Sequence, residues 1–299
     1  MNKKELVTEV VKLINEQLQG VTAIAMKVSK ANGIEYTGIQ FRTDGSSVAS
    51  VIYLDDLLEK SKSAERIAAE AIKIFREHAE IPKFNLSLED VNSFEACKSL
   101  IRPRLLNKRL NAKYLEKCIS RDFFDLSLAY VIALQSDTDG LSSITVTKEL
   151  LTTWGVTEED VYNAAVSNQQ EVFIESIVSV LCDYLSEPLP SELLSGRDEL
   201  LWVVSNKERT NGAGVILQHN TLQKLTKLLG EEFYVIPSSV HETLVTSCNS
   251  KSAQMLLSML KEVNSTCVAQ ADFLSNNLYK YSTREGFSVI TNTMILDLN

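Results

Sequence analysis

A short segment between two strand-like runs carries the side chains that could do chemistry. Its sequence, Pro237-Ser-Ser-Val-His-Glu242, holds two hydroxyls, an imidazole and a carboxylate within five residues. A serine nucleophile, a histidine base and an orienting acid are the parts of a hydrolytic triad. Ser238 or Ser239, acting with His241 and a distant acid such as Asp125, would therefore make a serine-dependent hydrolase.

The same segment also has a purely structural interpretation. Side chains one to four positions apart in an extended segment point to alternate faces, so they do not line up as a relay. Pro237 would fix the chain, and His241 would bond to the backbone. Ser239 and Glu242 would form the Ser-x-x-Glu capping box of a short turn. We favour this interpretation, in which the segment holds a loop.

A basic segment lies earlier in the chain, between Lys98 and Arg121. It contains eight lysines and arginines and a single acid, a local balance of +7. The whole chain carries −9, which leaves −16 on the other residues. Arginines favour carboxylates and phosphates because the guanidinium group can form paired hydrogen bonds. Arg102, Arg104 and Arg109, placed on a shared ridge, would therefore bind an anion or an acidic protein partner.

Two other interpretations of the basic segment stay open. Residues 98–121 could follow the phosphate backbone of a nucleic acid, although a net charge of −9 opposes general nucleic-acid binding. Tyr114 is the only aromatic residue of the segment, so stacking of bases is weakly supported. The segment could instead be a solvated surface that pairs with acids elsewhere. On charge alone we favour the solvated surface.

Motifs that would indicate a cofactor or a metal are incomplete. Asn211-Gly-Ala-Gly214 lacks the third glycine and the Lys-Ser/Thr pair of phosphate-binding loops, so it predicts a tight hairpin turn. The three histidines are far apart, and none lies in a zinc-binding motif. The five cysteines have no short spacings, which is typical of buried, reduced thiols. We therefore expect neither a cofactor nor a metal site.

The hydrophobic spacing of the first eighty residues predicts a compact set of elements. Apolar side chains repeat at helical spacing over residues 3–18, which predicts an amphipathic helix that ends at Gly20. A second helix should run from about residue 56 to 78, with an interruption at 61–63. Between the helices, three alternating runs predict an antiparallel meander: 21–29, 34–42 and 48–54.

The rest of the chain predicts further strands and helices. Pro103 should interrupt any element around it. Thr157 should cap a helix, and Pro188–Arg197 should be a domain boundary or a lid. Helices are expected at 172–185, 220–229 and 252–263. Strands are expected at 123–135, 143–146, 200–205, 212–217, 233–236 and 242–246.

The composition indicates a soluble globular protein, with 44% hydrophobic and 23% charged residues. No apolar run approaches the roughly 18 residues that a membrane helix needs. The start of the chain, Met1-Asn-Lys-Lys-Glu-Leu6, goes into an amphipathic pattern without the apolar region of a signal peptide. We therefore expect a cytoplasmic protein that does not insert into membranes.

Several short stretches spread along the chain share the pattern of one family. They are Asn32–Ile39, Val51–Leu54, Arg104–Asn107 with Asn111, Phe124–Leu126, Asn163–Asn168, Ser205–Asn206 with Gly212–Ala213, and Ile236–Glu242. Together they resemble a family of unknown function from gut Firmicutes, often encoded on integrative mobile elements. The resemblance covers about residues 1–290. Where the family usually has Leu-Pro-Ser-Ser-Ile-His-Glu, this chain has Ile and Val, which keep volume and polarity.

The resemblance implies a setting but no activity, because the family has none assigned. The setting is the bacterial cytoplasm, with an accessory role for a mobile element. The polar residues of the shared stretches are the candidates for a common pocket: Asn107, Asp125, Asn168, Asn206, Ser238, Ser239, His241 and Glu242. Alternatively, these residues fix turns and the ends of strands.

The sequence as a whole predicts the α+β class. We expect a helix–antiparallel sheet–helix unit over residues 1–82, and a middle region over 83–190 with the basic segment, a β-hairpin and helices. Residues 191–299 should form a mixed sheet flanked by helices, unless all three regions make one continuous domain. The favoured function is a non-catalytic binding or regulatory protein that engages a protein partner through the basic segment, the His241 pocket or both. A serine-dependent hydrolase and a nucleic-acid-binding protein are the alternatives.

Overall fold

Helices and antiparallel strands intersperse along the chain, which confirms the α+β class. The computed structural model describes residues 2–45, 49–77, 86–87, 89–135, 141–168, 170–185, 201–249 and 252–290. Contacts divide the described chain into two compact units, residues 2–77 and residues 86–290. The expected boundary or lid at Pro188–Arg197 lies outside the described residues. Within those residues, the structure has no helix that is both long and apolar enough to cross a membrane.

The first unit is the predicted helix–antiparallel sheet–helix arrangement. Its elements are α1 (Lys3–Gln17), β1 (Val21–Ser29), β2 (Glu35–Thr43), β3 (Ser50–Tyr53), α2 (Asp55–Lys60) and α3 (Ala64–Glu77). The strands form an antiparallel sheet in the order β1-β2-β3. Asn2 and Glu5 cap α1 reciprocally. One face of the sheet packs against the helices, and its buried core includes Ile14, Phe41 and Ile67.

The second unit begins with a four-stranded sheet built around one long strand. Its elements are α4 (Phe94–Cys97), β4 (Ile101–Asn107), α5 (Ala112–Leu115), β5 (Ser120–Phe123), β6 (Leu126–Gln135) and β7 (Leu141–Thr145). β6 pairs with β4 along one edge and with both β5 and β7 along the other. The strand expected over 123–135 is thus two strands, with Phe124 and Asp125 in the turn between them. Phe124 has a positive φ of 55°.

Pro103 lies inside β4, and the prediction that it interrupts the local structure is wrong. β4 is an edge strand, and its other edge contacts a 3-10 helix at Gly212–Leu217. A Cβ built on Gly214 would lie 3.2 Å from Pro103 O, so the carbonyl of Pro103 faces that helix and not β6. In a strand the nitrogen and the carbonyl oxygen of one residue point to the same side, so the nitrogen of Pro103 also faces away from β6. Proline is tolerated there because this edge needs no ladder hydrogen bond.

The second unit continues with helices and a six-stranded sheet. Its elements are α6 (Lys148–Trp154), α7 (Glu158–Ser167), β8 (Val172–Ser176), α8 (Ile177–Leu185), β9 (Trp202–Asn206), α9 (His219–Leu229), β10 (Glu232–Ile236), β11 (Thr243–Ser247), α10 (Ala253–Thr266), β12 (Leu278–Ser282) and β13 (Gly286–Ile290). The strand order is β13-β12-β10-β11-β9-β8. Every described pair is antiparallel, where we expected a mixed sheet.

Two further expectations for the second unit are wrong, and one is confirmed. Gly212–Leu217 is a 3-10 helix instead of a strand. Val172–Ser176 is a strand where we expected the start of a helix, because it pairs with β9 and a short apolar run does not distinguish the two. Thr157 caps α7, and Asp160 completes the capping box.

Candidate functional site

The segment Pro237–Glu242 connects β10 to β11 through tight backbone turns. The N–H of Ser238 donates to Ile236 O at 2.9 Å, and the N–H of Ser239 donates to Glu242 O at 3.1 Å. Pro237 and Val240 are buried, whereas the polar side chains are half-buried. The motif therefore lies in a folded loop at one end of the six-stranded sheet.

The imidazole of His241 is held by two partners of its own chain. Nδ1 accepts the backbone N–H of Asn211 at 3.1 Å. Because Nδ1 is an acceptor, the neutral ring carries its proton on Nε2, which lies 3.3 Å from Asp272 Oδ1. The side chains of His241 and Asp272 are 37% and 39% exposed. Both ring nitrogens are thus engaged, and the expected backbone bond of His241 is present.

The backbone of His241 joins the motif to a second loop. Its carbonyl oxygen accepts from Ser205 Oγ at 2.7 Å and from the Gly212 N–H at 3.0 Å. Asn206 closes this second loop, because its side-chain amide bonds both the N–H and the carbonyl of Thr210, at 3.1 and 2.9 Å. Asn206 therefore lies beside the His241 motif, where it fixes a turn.

The glycines of Asn211–Gly214 allow backbones to approach closely. A Cβ on Gly212 would lie 2.3 Å from Ser205 Oγ and 2.6 Å from Asn206 N. Asn211 itself has a positive φ of 51° and precedes the 3-10 helix, so the predicted hairpin turn is wrong. The motif holds the His241 loop against β9.

The serines do not face a free base. Ser239 Oγ accepts the N–H of His241 at 3.1 Å, and this bond takes the place of the capping box that we expected with Glu242. A hydrolytic triad needs a serine hydroxyl that donates to an unoccupied imidazole nitrogen. In this structure the nitrogen opposite the carboxylate is occupied by the Asn211 N–H. The geometry therefore supports the loop-holding interpretation.

Asp125 lies in a different cluster and does not orient His241. Its carboxylate accepts from Ser275 Oγ at 2.5 Å and from the Tyr279 hydroxyl at 2.6 Å. Ser275 and Tyr279 are both buried. Burial, and then the bond to Asp125, raise the pKa of Tyr279 far above its ordinary value. Asp125 thus ties the β5–β6 turn to β12 within the second unit.

The short segment from Asp272 to Ser275 contacts both clusters, and sequence reasoning missed it. Asp272 meets His241, the carbonyl of Leu274 accepts from Asn107 Nδ2 at 2.8 Å, and Ser275 meets Asp125. No sequence motif marks this segment, because its residue types are common in proteins. Its hydrogen-bond partners lie 31 to 167 positions away in the chain. Only the fold brings these residues together.

The remaining asparagines also bond to backbone groups. Asn107 Oδ1 accepts the N–H of Leu110 at 2.9 Å, which closes the turn that follows β4. Asn168, at the end of α7, donates to the carbonyls of Lys98 and Ile101. These bonds fit the fixing of turns and strand ends, the alternative role that the sequence left open for these side chains.

The arginines of β4 turn toward their own chain. Arg102 donates to the carbonyls of Ser99 and Ile101 at 2.8 and 3.0 Å. Burial lowers the pKa of Arg102, and Glu208 partly opposes this effect. The Nε of Arg104 is buried and has no hydrogen-bond partner among the described residues. Of the three predicted arginines, Arg109 alone is exposed.

The basic segment nevertheless presents a row of exposed cations. The chain after β4 winds in helical turns, with bonds from Asn111 N to Asn107 O and from Leu115 N to Asn111 O. Arg109, Lys113 and Lys117 follow one another at four-residue spacing in these turns. All three are exposed and form no ion pair within the described parts of the chain. We call them the cation row.

Other cations of the segment are paired. Lys108 pairs with Asp122 at 2.6 Å, Lys98 with Glu95 at 3.7 Å, and Arg121 with Glu159. These pairs fit the solvated-surface interpretation, in which the cations pair with acids elsewhere. The cation row has no such pair in the described structure. In the portion of the chain that the structure describes, no group of three or more His, Cys, Asp or Glu residues is arranged to hold a metal ion.

Comparison with known proteins gives a family match. The model of a family of unknown function, DUF5688, matches residues 3–283. No curated protein and no solved structure matches the chain. All of the candidate residues, from Arg102 to Glu242, lie within the matched range. The match extends over most of the chain and carries no activity with it.

Proposed function

The chain belongs to the DUF5688 family of unknown function, and from its geometry we propose that it is a non-catalytic binding protein that engages another protein. The observation that carries this proposal is the His241 ring, whose two nitrogens are occupied by Asn211 N and Asp272. A base in that state has no free nitrogen for a serine hydroxyl. The motif that most resembles a catalytic site is thus used to hold a loop.

The cation row is the surface on which we expect a protein partner to bind. Arg109, Lys113 and Lys117 are exposed, and the described chain offers them no carboxylate in ion-pair distance. The residues outside the basic segment carry −16, so a concentrated positive surface stands out on an acidic protein. Exposed charges of one sign steer partners of the other sign and suppress wrong ones. An acidic protein is the partner that this surface favours.

The setting of the proposed function comes from the family resemblance. It is that of a bacterial, cytoplasmic accessory protein of a mobile element, with the basic segment as its contact to a protein partner. A regulatory role fits a protein that binds without catalysis.

Affinity capture with charge-reversed variants tests the proposal. The tagged full chain and the triple variant Arg109→Glu, Lys113→Glu, Lys117→Glu are passed through a Firmicutes lysate treated with nuclease. We expect the wild type to retain a stoichiometric protein and the triple variant to lose it. The matched control reverses three exposed lysines of α9 and α10: Lys224, Lys227 and Lys261.

Two results would contradict the proposal. One is capture that the triple variant keeps and the control variant loses. The other is covalent labelling of Ser238 or Ser239 by a fluorophosphonate probe that His241→Ala abolishes, which would restore the hydrolase. Capture that occurs from an untreated lysate and not from the nuclease-treated lysate would indicate nucleic-acid binding instead.

A further inference from the structure

Phe124 is an exposed aromatic residue in a conformation that a bulky side chain rarely adopts. It has a φ of 55° and is 43% exposed to solvent. Non-glycine residues in the left-handed region are uncommon, and they persist where the surrounding structure over-determines them. Such positions cluster at binding and active sites. Phe124 is therefore a candidate binding residue.

The turn that carries Phe124 is fixed by hydrogen bonds to buried residues. The next residue, Asp125, is bonded to Ser275 and Tyr279, both of which are buried. The ring of Phe124 lies 4.9 Å from that of Phe123 and 5.7 Å from that of Tyr279, centroid to centroid. The exposed ring is thus held rigidly before any partner arrives, which lowers the entropic cost of binding.

The fold also brings the start of the cation row beside this turn. The N–H of Lys108 donates to Asp125 O at 3.0 Å, and Asn107 pairs with Leu126 across the strands. Arg109 follows directly, so the backbone that carries it adjoins the backbone that carries Phe124. The sequence concealed this neighbourhood, because Tyr114 is the only aromatic residue within the basic segment itself.

We propose that Phe124 and the cation row form one docking surface for an acidic peptide segment. An aromatic or aliphatic side chain of the peptide packs on Phe124, and its carboxylates pair with Arg109, Lys113 and Lys117. Fixed aromatic anchors flanked by charges are the usual composition of such surfaces. This inference rests on the proposed function, since it names the chemistry of the protein partner.

The local charges favour a peptide over a single-stranded nucleic acid. Glu116, which is exposed and lies between Lys113 and Lys117 in the sequence, would repel a continuous phosphate backbone. A peptide instead places a few carboxylates where the cations lie. One exposed ring also gives a single anchor, whereas proteins that bind single strands stack successive bases on several aromatics.

Selection from a displayed library of random linear peptides tests the inference on the immobilised full chain. We expect the enriched peptides to combine Asp and Glu with at least one aromatic or aliphatic residue. One enriched peptide, labelled with fluorescein, is then titrated by fluorescence anisotropy. Phe124→Gly removes the ring and suits the positive φ, and we expect it to weaken binding at least tenfold. Arg109→Glu with Lys113→Glu should do the same.

Matched controls separate this surface from general effects. Leu228→Ala removes an apolar side chain that is 43% exposed on α9, the same fraction as Phe124. Lys224→Glu with Lys227→Glu makes the same charge change on that helix. We expect both controls to leave peptide affinity within twofold. If the circular dichroism spectrum of Phe124→Gly matches that of the wild type, the loss of affinity comes from the binding surface and not from unfolding.

Several outcomes would overturn the inference. They are a library without acidic enrichment, peptides that Phe124→Gly still retains, and a twelve-nucleotide oligothymidine that binds more tightly than the peptide at about 150 mM salt. The two proposals fail separately. Acidic peptides that bind here without any partner in the lysate would refute the proposed function alone. Capture that Phe124→Gly leaves unchanged and the triple charge reversal abolishes would refute this surface alone.

Discussion

At the scale of single residues, Gly212 and Gly214 mark the closest approaches of the 3-10 helix to its neighbours. A Cβ on Gly212 would lie 2.3 Å from Ser205 Oγ and 2.6 Å from Asn206 N, and one on Gly214 would lie 3.2 Å from Pro103 O. Overpacking of this kind costs about 1–3 kcal/mol. We expect Gly212→Ala to lower the free energy of unfolding by about 2 kcal/mol and Gly214→Ala to lower it by less.

Urea unfolding followed by tryptophan fluorescence measures this difference. The two tryptophans of the chain, Trp154 and Trp202, both belong to the second unit, where the two glycines lie. Equal losses in the two variants would mean that the close contact at Gly212 does not control stability.

The buried hydroxyl of Tyr130 should make stability depend on pH, and a single substitution can isolate this effect. Its hydroxyl is buried and has no hydrogen-bond partner among the described residues, and burial raises its pKa to about 12. An ordinary tyrosine has a pKa of about 10. Between these values the unfolded chain has released a proton that the folded chain keeps. Stability therefore falls as pH rises, by about 1.4 kcal/mol per pH unit.

Tyr130→Phe removes both the unpartnered hydroxyl and this titration. We expect its stability near pH 7 to equal or slightly exceed that of the wild type, because no hydrogen bond is lost. Between about pH 10 and pH 12 its stability should decline less steeply. Urea unfolding at several pH values tests this, with Tyr281→Phe, a half-buried tyrosine of the same unit, as control. Parallel pH profiles for Tyr130→Phe and the wild type would refute it.

At the scale of elements, the bond between Asp125 and Tyr279 ties the β5–β6 turn to β12. A hydrogen bond to a charged group contributes about 1.5–3 kcal/mol. We expect Tyr279→Phe to lower the free energy of unfolding of the second unit by about 2 kcal/mol, because the ring stays and only the hydroxyl is lost.

Tyr281→Phe is the matched control for this substitution. Tyr281 lies on the same strand and belongs to the same group of rings, 5.0 Å from Phe287. No such bond to a carboxylate is seen for its hydroxyl in the described structure. Thermal unfolding by circular dichroism compares the two variants, and a loss as large for Tyr281→Phe would show that ring packing, and not the Asp125 bond, holds the elements together.

Elements with strong local signals were predictable from sequence, and elements that depend on distant partners were not. The capping pairs Asn2–Glu5 and Thr157–Asp160 each mark the start of a helix within four residues. Pro103 is acceptable in β4 because β4 is an edge strand and the residue faces away from β6, a position that the local sequence does not reveal. Gly212–Leu217 likewise became a 3-10 helix by packing against β4 and β9. Tertiary contacts overrode the local pattern in both places.

The candidate site divides in the same way. The backbone bond of His241 was predictable from the short polar motif, since Pro237 and the serines favour a folded loop. Asp272 could not be predicted, because nothing near it in sequence resembles a partner for histidine. The placement of Phe124 beside Arg109 depends on the pairing of β4 with β6 and was equally hidden.

At the scale of the whole molecule, the chain contains a first unit with a core of its own. Residues such as Ile14, Ile39 and Phe41 are almost completely buried among one another between the sheet and its helices. Domains of about 60 residues are marginal but often fold alone. We therefore expect a fragment of residues 1–84 to fold independently and to unfold cooperatively, as measured by circular dichroism.

Two substitutions decide whether such a fragment has the native core. Ile14 is fully buried, and truncation of a buried isoleucine to alanine costs about 2–5 kcal/mol, enough to unfold most of a marginal domain. Ile24 is 40% exposed on the other face of the sheet, so Ile24→Ala should change the melting temperature little. If both variants melt alike, or if the parent fragment melts without cooperativity, the first unit depends on the rest of the chain.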